Sequence, residues 1–270
     1  MSTAFASEPP PFPRRLAPSA ISRYLTCPKQ FRLADLERVP RGDSASPVLC
    51  QANAIHHALE RFYGLPAEDR VFENLERALR AIWCEHRKPG TFASKQEERE
   101  YGLAAIDMLE RFARDYDTSV APLAREQWVS SRFAGIELYG KVDRIDRGRD
   151  GGLELVDYKT GRHQLAPEDL SGDPAAQIYL LGAEETFGLE VERIRLIYLR
   201  SGDEVRWTPE REDVDALKER LLAQVERMRA DRLLEATPGS HCRFCPFALQ
   251  CPERQAVALH ELIPVEDMAF

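Results

Sequence analysis

The chain has 270 residues, 43% hydrophobic and 30% charged, which suits a water-soluble protein with room for one sizeable core. Its 37 basic and 45 acidic side chains leave a net charge of −8, which excludes a uniformly basic surface that would hold nucleic acid by charge alone. No run is apolar enough to span a bilayer, and Met1–Pro13 is broken by prolines and lacks a secretory core. A cytoplasmic setting without a membrane is expected, where six cysteines point to metal ligands before disulfides.

In chain order, residues 1–18 are rich in proline, serine and alanine and read as a mobile arm. Ser19 reads as the N-cap of a short helix with Ile21, Tyr24 and Leu25 on one face. Thr26-Cys27-Pro28 interrupts it, because proline cannot continue the ladder but suits a first helical turn. A second helix then buries Phe31 and Leu33. Pro47 opens a third, with Val48, Ala52, Ile55, Leu59 and Phe62 at helical spacing. His56 lies beside that stripe, and His57 points roughly away from it. Helices over Phe72–Arg87 and Lys95–Val120 follow, separated by Lys88-Pro89-Gly90. Cys50 and Cys84 have no partner at ligand spacing and read as packing residues.

Glu126–Phe133 reads as the first strand of the core, and Ile136–Ile145 and Leu153–Lys159 as a pair joined by the turn RGRDGG. Period-two geometry puts Asp157 and Lys159 on one face with Tyr158 opposite, and hairpin register lets Asp143 reach them. Two carboxylates and a lysine at a strand end can hold a hard divalent cation and steady charge on a phosphoryl oxygen. A helix over Pro174–Phe187, strands over Val191–Leu199 and Glu204–Thr208, and a charged helix over Glu210–Leu234 complete the pattern. Gly202-Asp203 reads as the turn between the last two strands. Arg14, Arg15, Arg144, Arg147, Arg149, Arg162 and His163 gather in sequence near the motif and the N-terminus, enough for a local basic groove. Cys242-x2-Cys245-x5-Cys251 closes the chain, and such thiolates suit either a four-cysteine zinc site or an iron–sulfur cluster. Cys27, also followed by proline, is the candidate fourth ligand.

Asp143, thirteen residues, then Asp157-Tyr158-Lys159-Thr160-Gly161 resembles the PD-(D/E)xK nuclease core in its RecB-like form, with Val142 in place of the proline. S-A-I-S-R-Y-L-T-C-P-K-Q-F and the C-terminal cysteines are similar to the iron–sulfur RecB-like nucleases of AddB and CRISPR-associated type. A-N-A-I-H-H-A-L-E resembles that family's G-x-x-x-H-x-x-L-E helix, with Ala52 at the glycine position. Glu126 resembles the acidic residue of its first strand. Gln177 matches the first residue of Q-x-x-x-Y, although Tyr179 stands two places on and Leu181 four.

The resemblance implies an α/β fold: a restriction-endonuclease-like core with a mixed central sheet flanked by helices, plus a helical N-terminal part closed by an iron–sulfur staple. It implies one nuclease domain over residues 19–270, with a helical part at 19–120, a sheet core at 121–209 and a C-terminal helix with cysteines at 210–270. His56, Asp143, Asp157 and the Tyr158 carbonyl would bind Mg²⁺ or Mn²⁺. Asp143, Asp157, Lys159 and Gln177 would serve catalysis, and Cys27, Cys242, Cys245 and Cys251 would hold a 4Fe-4S cluster. The implied activity is a metal-dependent DNA exonuclease of repair and recombination, with a helicase as a partner. A CRISPR adaptation nuclease working with CRISPR adaptation proteins shares every motif, and a non-catalytic iron–sulfur DNA-binding subunit is the reading from another class.

Overall fold

The computed structural model describes residues 11–40, 46–133 and 135–256. A short strand, β1 (Arg15–Leu16), leads into α1 (Pro18–Thr26) and α2 (Pro28–Phe31), with Cys27 in extended backbone between them. A π-helical turn, Arg32–Leu36, continues α2. Then come α3 (Pro47–Phe62), α4 (Phe72–His86) and α5 (Lys95–Asp115). Three strands follow, β2 (Ala124–Phe133), β3 (Ile136–Arg147) and β4 (Leu153–Lys159). A 3-10 segment (Pro167–Gly172) and α6 (Pro174–Phe187) precede β5 (Val191–Tyr198) and β6 (Asp203–Trp207). The chain ends in α7 (Arg211–Ala230), a 3-10 turn (Ser240–Arg243) and α8 (Pro252–Ala256).

Some boundaries differ from the sequence pattern, each for a local reason. Part of the proposed arm is ordered, since Arg15 and Leu16 form a strand; residues 1–10 lie outside those described. Helix α1 starts at Pro18, with Ala17 and not Ser19 at the N-cap and no side-chain cap, because proline pre-sets the first turn and has no N–H to satisfy. Helix α5 stops at Asp115, since Tyr116 turns extended, stacks on Phe112 at 5.2 Å and donates its hydroxyl to the Gly202 carbonyl at 3.1 Å. Helix α7 ends at Ala230. There Asp231 accepts the N–H groups of Leu233 and Leu234, and Leu234 turns left-handed at φ 47°.

The chain divides into two compact units. The first contains the described residues of Met1–Gly42, Ser131–Tyr139 and Arg211–Met268. In it β1 runs parallel to the start of β3, Arg15 opposite Glu137 and Leu16 opposite Leu138. Tyr24 packs edge-on against Phe31 at 5.9 Å and donates its hydroxyl to Asp231 at 2.9 Å, which ties α1 to the end of α7. Arg23 grips Asp35 with two hydrogen bonds of 2.7 and 2.6 Å.

The second unit contains the described residues of Asp43–Ser130 and Gly140–Glu210. Its sheet has the order β3-β4-β5-β6, with β2 also paired to β3. It is mixed: β4 and β5 are parallel, while β3/β4 and β5/β6 are antiparallel. Gly202, left-handed at φ 85°, makes the tight turn into β6. One sheet face presents Val156, Tyr158 and Ile197 to α3, α4 and α5, where Ile55, Leu59, Phe62, Leu79, Ile82, Leu109 and Phe112 are all buried. Burial on this scale, about 1.5–3 kcal/mol for each large apolar side chain, is the main stabiliser of the unit. Towards β6 the same face becomes ionic, with Arg195 between Glu154 and Glu204.

Helix α6 reaches the sheet through a close approach. A Cβ on Gly182 would lie 3.0 Å from the Ser130 nitrogen and 3.1 Å from the Val129 carbonyl carbon, backbone atoms that cannot swing aside. Gly182→Val should therefore destabilise the protein by about 1–3 kcal/mol in denaturant unfolding, the usual range for overpacking, despite the better helix propensity of valine.

Candidate active site

The β3/β4 ladder pairs Arg147 with Leu153 and continues to Arg144 with Val156, where the register ends. The next residues, Asp143 and Asp157, would face each other, but the strands part there. Asp143 Oδ2 accepts the Tyr158 N–H at 2.6 Å, a side chain doing what a ladder carbonyl would do. On the far edge of β4 the Lys159 carbonyl accepts from Leu199 N–H at 2.9 Å. By strand alternation the Tyr158 carbonyl thus faces the same gap as its N–H. The Tyr158 ring lies on the opposite face from Asp157, packed edge-on against Phe112 at 5.5 Å, with its hydroxyl accepting from Arg144 at 2.8 Å.

Into this gap α3 projects His56, whose Nδ1 lies 3.0 Å from Asp143 Oδ1. His57 turns away to a 2.7 Å contact with His86 Nε2, so adjacent histidines have separate surroundings. Strand β2 adds Glu126. Ligand atoms of His56, Glu126 and Asp143 lie within 4.8 Å of one another, the arrangement a metal ion could use. Asp157 stands beside them at 6% exposure, with Lys159 Nζ 2.8 Å from its Oδ2. That contact is ionic: among the described residues Oδ2 has no partner in hydrogen-bonding geometry.

The electrostatics follow from crowding. Burial and then the charge of Asp157 push the Asp143 carboxyl above its ordinary value, more than His56 and the Tyr158 N–H lower it. Burial disfavours the charged ring of His56, but Asp143, Asp157 and Glu126 outweigh it and raise its basicity. Lys159 behaves likewise: burial opposes its charge, yet Asp157, Asp173 and Asp143 hold it protonated well above the usual lysine value. Repelling carboxylates crowded in a buried cluster fit a divalent cation, as does the mixture of hard oxygen donors with one imidazole.

Three further residues belong to this site. Lys141 shares a face of β3 with Asp143 and pairs with Glu126 Oε2. Glu126 itself sits at φ 43°, where a side chain other than glycine is strained, and this kink lies at a carboxylate with only 8% of its side chain exposed. Tyr179 lies in the same acidic field. Burial, then Asp157, Asp143, Asp173 and Glu126, suppress ionisation of its hydroxyl. It lies one turn before Gly182 on α6, so the close approach to β2 also sets the tyrosine. Gln177 is buried in the first turn of α6 and donates Nε2 to the Ser171 carbonyl at 2.9 Å, holding the 3-10 segment.

The four cysteines singled out by spacing meet in the first unit, where Cys27, Cys242, Cys245 and Cys251 line one pocket. Burial, and the other three thiols among its neighbours, push the Cys245 thiol up. Backbone N–H groups point at two sulfurs, Thr237 at Cys27 Sγ (3.5 Å) and Gly239 at Cys242 Sγ (3.4 Å). Cys50 and Cys84 lie in the second unit, on α3 and α4.

Comparison with curated proteins finds no match. Among solved structures, one described as a "Putative exonuclease" from Eubacterium rectale aligns with a TM-score of 0.54 at 12% identity, over 94% of this chain and 92% of its own. At that identity the likeness concerns the fold. SSO0001 aligns with a TM-score of 0.40 at 14% identity, over 90% and 88%, and carries no argument. The sequence model of the PD-(D/E)XK nuclease superfamily matches residues 15–252, and the chain belongs to that superfamily.

Proposed function

We propose that the protein is a metal-dependent DNA exonuclease that hydrolyses phosphodiester bonds in DNA repair and recombination. One observation carries the reading: Asp143, Glu126 and His56 converge where β3 and β4 part, with Asp157 and a protonated lysine beside them. The three carboxylates, His56 and the Tyr158 carbonyl would hold Mg²⁺ or Mn²⁺, the imidazole favouring manganese. When bound, the ion would act as a Lewis acid toward a phosphoryl oxygen and lower the pKa of a water.

The protein's own groups supply the rest. Lys159, held protonated beside its carboxylates, offers positive charge and hydrogen bonds to a phosphoryl oxygen and can position the attacking water. The Tyr158 N–H and His56 each bind one oxygen of Asp143, which fixes that carboxylate in the gap. Tyr179 stays protonated and can donate toward a phosphate or a water. Gln177 holds the segment next to α6 in place. The single domain expected over residues 19–270 is part of this proposal, both units serving one nuclease.

We also assign a 4Fe-4S cluster to Cys27, Cys242, Cys245 and Cys251. Their common pocket and the N–H groups aimed at sulfur support it.

The direct test is cleavage of end-labelled single- and double-stranded DNA with Mn²⁺ by protein purified without oxygen. Binding without any cutting would overturn the exonuclease reading in favour of a DNA-binding subunit. Mn²⁺ at a hundred times its dissociation constant should add about 2.7 kcal/mol of stability to the wild type. Asp157→Asn should lose that shift and cleavage together, while melting no lower than the wild type without metal, since it relieves carboxylate repulsion.

Two variants separate strain and ligation from packing. Glu126→Gly should leave thermal stability unchanged or raised, because glycine accepts φ 43° without strain, while cleavage falls at least tenfold. His56→Ala should cut activity by a similar factor and His57→Ala should not; equal effects would place His56 among packing residues.

Fresh protein should be brown and contain iron and sulfide. Serine at any of the four cysteines should remove the colour, serine at Cys50 or Cys84 should not, and one zinc without iron would refute the cluster.

A further inference from the structure

The second unit has a groove of about 500 Å³ that begins where the catalytic strand ends. Thr160, Gly161, Arg162 and His163 form one wall, Val48 and Gln51 of α3 another, and Glu100, Tyr101 and Ala104 of α5 a third, with Arg200 at the base. Arg162 is the third residue after Lys159, about 11 Å of extended chain at most. A nucleic-acid strand rises about 3.4 Å per nucleotide, so the groove lies within a few nucleotides of any phosphate held at Lys159.

The groove carries two arginines and one histidine against a single carboxylate, Glu100. Most arginines in this protein are engaged: Arg144, counted with the basic groove by sequence, is 3% exposed and bound to Asp146 and Tyr158. Arg15 is likewise paired with Glu137. Arg162 and Arg200 both line this groove, and neither has a carboxylate partner among the described residues. Arg200 is nevertheless held in place: Arg111 donates to its carbonyl, and its Nε donates to the Thr160 carbonyl at 3.3 Å, which leaves both terminal nitrogens for a ligand. Burial and the nearby charge of Arg162 both disfavour the Arg200 cation. The carboxylate on the wall, Glu100, accepts from Gln96 at 2.8 Å. Two unpaired guanidinium groups side by side suit an oxyanion with several acceptors. Tyr101 and Val48, the latter 50% exposed, add the apolar wall against which a sugar or an unstacked base can lie.

We propose that this groove is a subsite for the backbone of single-stranded DNA, with Arg162 and Arg200 gripping phosphates next to the scissile one. The proposal rests on the nuclease reading and deepens it. Charged grooves with aromatic walls take single strands without regard to sequence. Arg162 and Arg200 thus set how the strand is held, and the carboxylates and Lys159 do the cutting.

The test is fluorescence anisotropy of a labelled single-stranded DNA 20-mer against full-length protein without divalent metal, repeated across a range of KCl. The double variant Arg162→Ala/Arg200→Gln should bind on the order of tenfold more weakly at 0.1 M salt. Its slope of log K against log salt should be shallower by about 1.4, that is, about 0.7 for each phosphate no longer neutralised. Arg162→Ala alone changes an exposed side chain and should give half that slope change with an unaltered melting temperature. Arg200→Lys should restore most of the slope if charge is what the strand reads, and Arg80→Ala, outside the groove, should change nothing. Hydrolysis of bis(p-nitrophenyl) phosphate with Mn²⁺ should be equal in wild type and double variant, because so small a diester does not reach the groove. Wild-type binding with an unchanged slope in the double variant would overturn the subsite and leave the nuclease reading standing. Failure of the wild type to bind any DNA would overturn both.

Discussion

Two buried carboxylates held side by side are the constraint around which the second unit is arranged. Asp143 and Asp157 occupy the first positions beyond the β3/β4 ladder, where hydrogen bonding between the strands has stopped. Continued pairing would leave no room for a third group between them. Because the strands part, the freed Tyr158 N–H is satisfied by Asp143, and His56 can approach from α3 while Lys159 flanks Asp157 on β4. Repulsion and desolvation are then only partly offset within the protein, and they hold the Asp143 carboxyl above its ordinary value. A cation meets both demands.

The surrounding architecture supplies rigidity at some cost in local stability. Glu126 keeps a left-handed backbone within a strand, a conformation that persists only where neighbouring groups over-determine it. Gly182 gives up side-chain packing so that α6 can lie on the backbone of Val129 and Ser130. On the opposite sheet face α3, α4 and α5 bury a continuous apolar cluster that includes the Tyr158 ring, beside the buried Arg144–Asp146 pair. The strand that carries Asp157 and Lys159 is thus anchored by its apolar side, and the strained Glu126 of β2 lies near the acidic group on its polar one.

Charge is distributed in the same selective way. A net charge of −8 gives little general attraction for a polyanion, and several surface arginines are paired with carboxylates, as in Arg61–Glu85, Arg80–Glu76 and Arg87–Glu98. Two arginines against a single carboxylate stand in the groove that continues from Lys159. In the first unit the organising groups are thiols, brought together from the α1/α2 break and the segment after α7.

Much of this was legible in the sequence, for physical reasons. Strand β4 and helix α6 have the boundaries that alternation, proline and glycine imply, and period two alone placed Asp157 and Lys159 opposite Tyr158. His56 and His57 could be told apart because a helix turns about a hundred degrees per residue. The cysteine spacing named three thiols and the Cys27-Pro28 step a fourth, and all four line one pocket. Other features depended on neighbours distant in sequence. Arg144 looked like a groove residue, but its neighbours Asp146, Tyr63 and Tyr158 make it part of the interior. Lys141 carried no motif, and its pairing with Glu126 exists only because β2 and β3 lie together. Tyr179 stood two residues from the position the motif names, and the close seat of α6 at Gly182 is what brings it to the carboxylates. Local periodicity determines which face a side chain takes, whereas the partner it finds there is decided by packing between elements far apart in the chain.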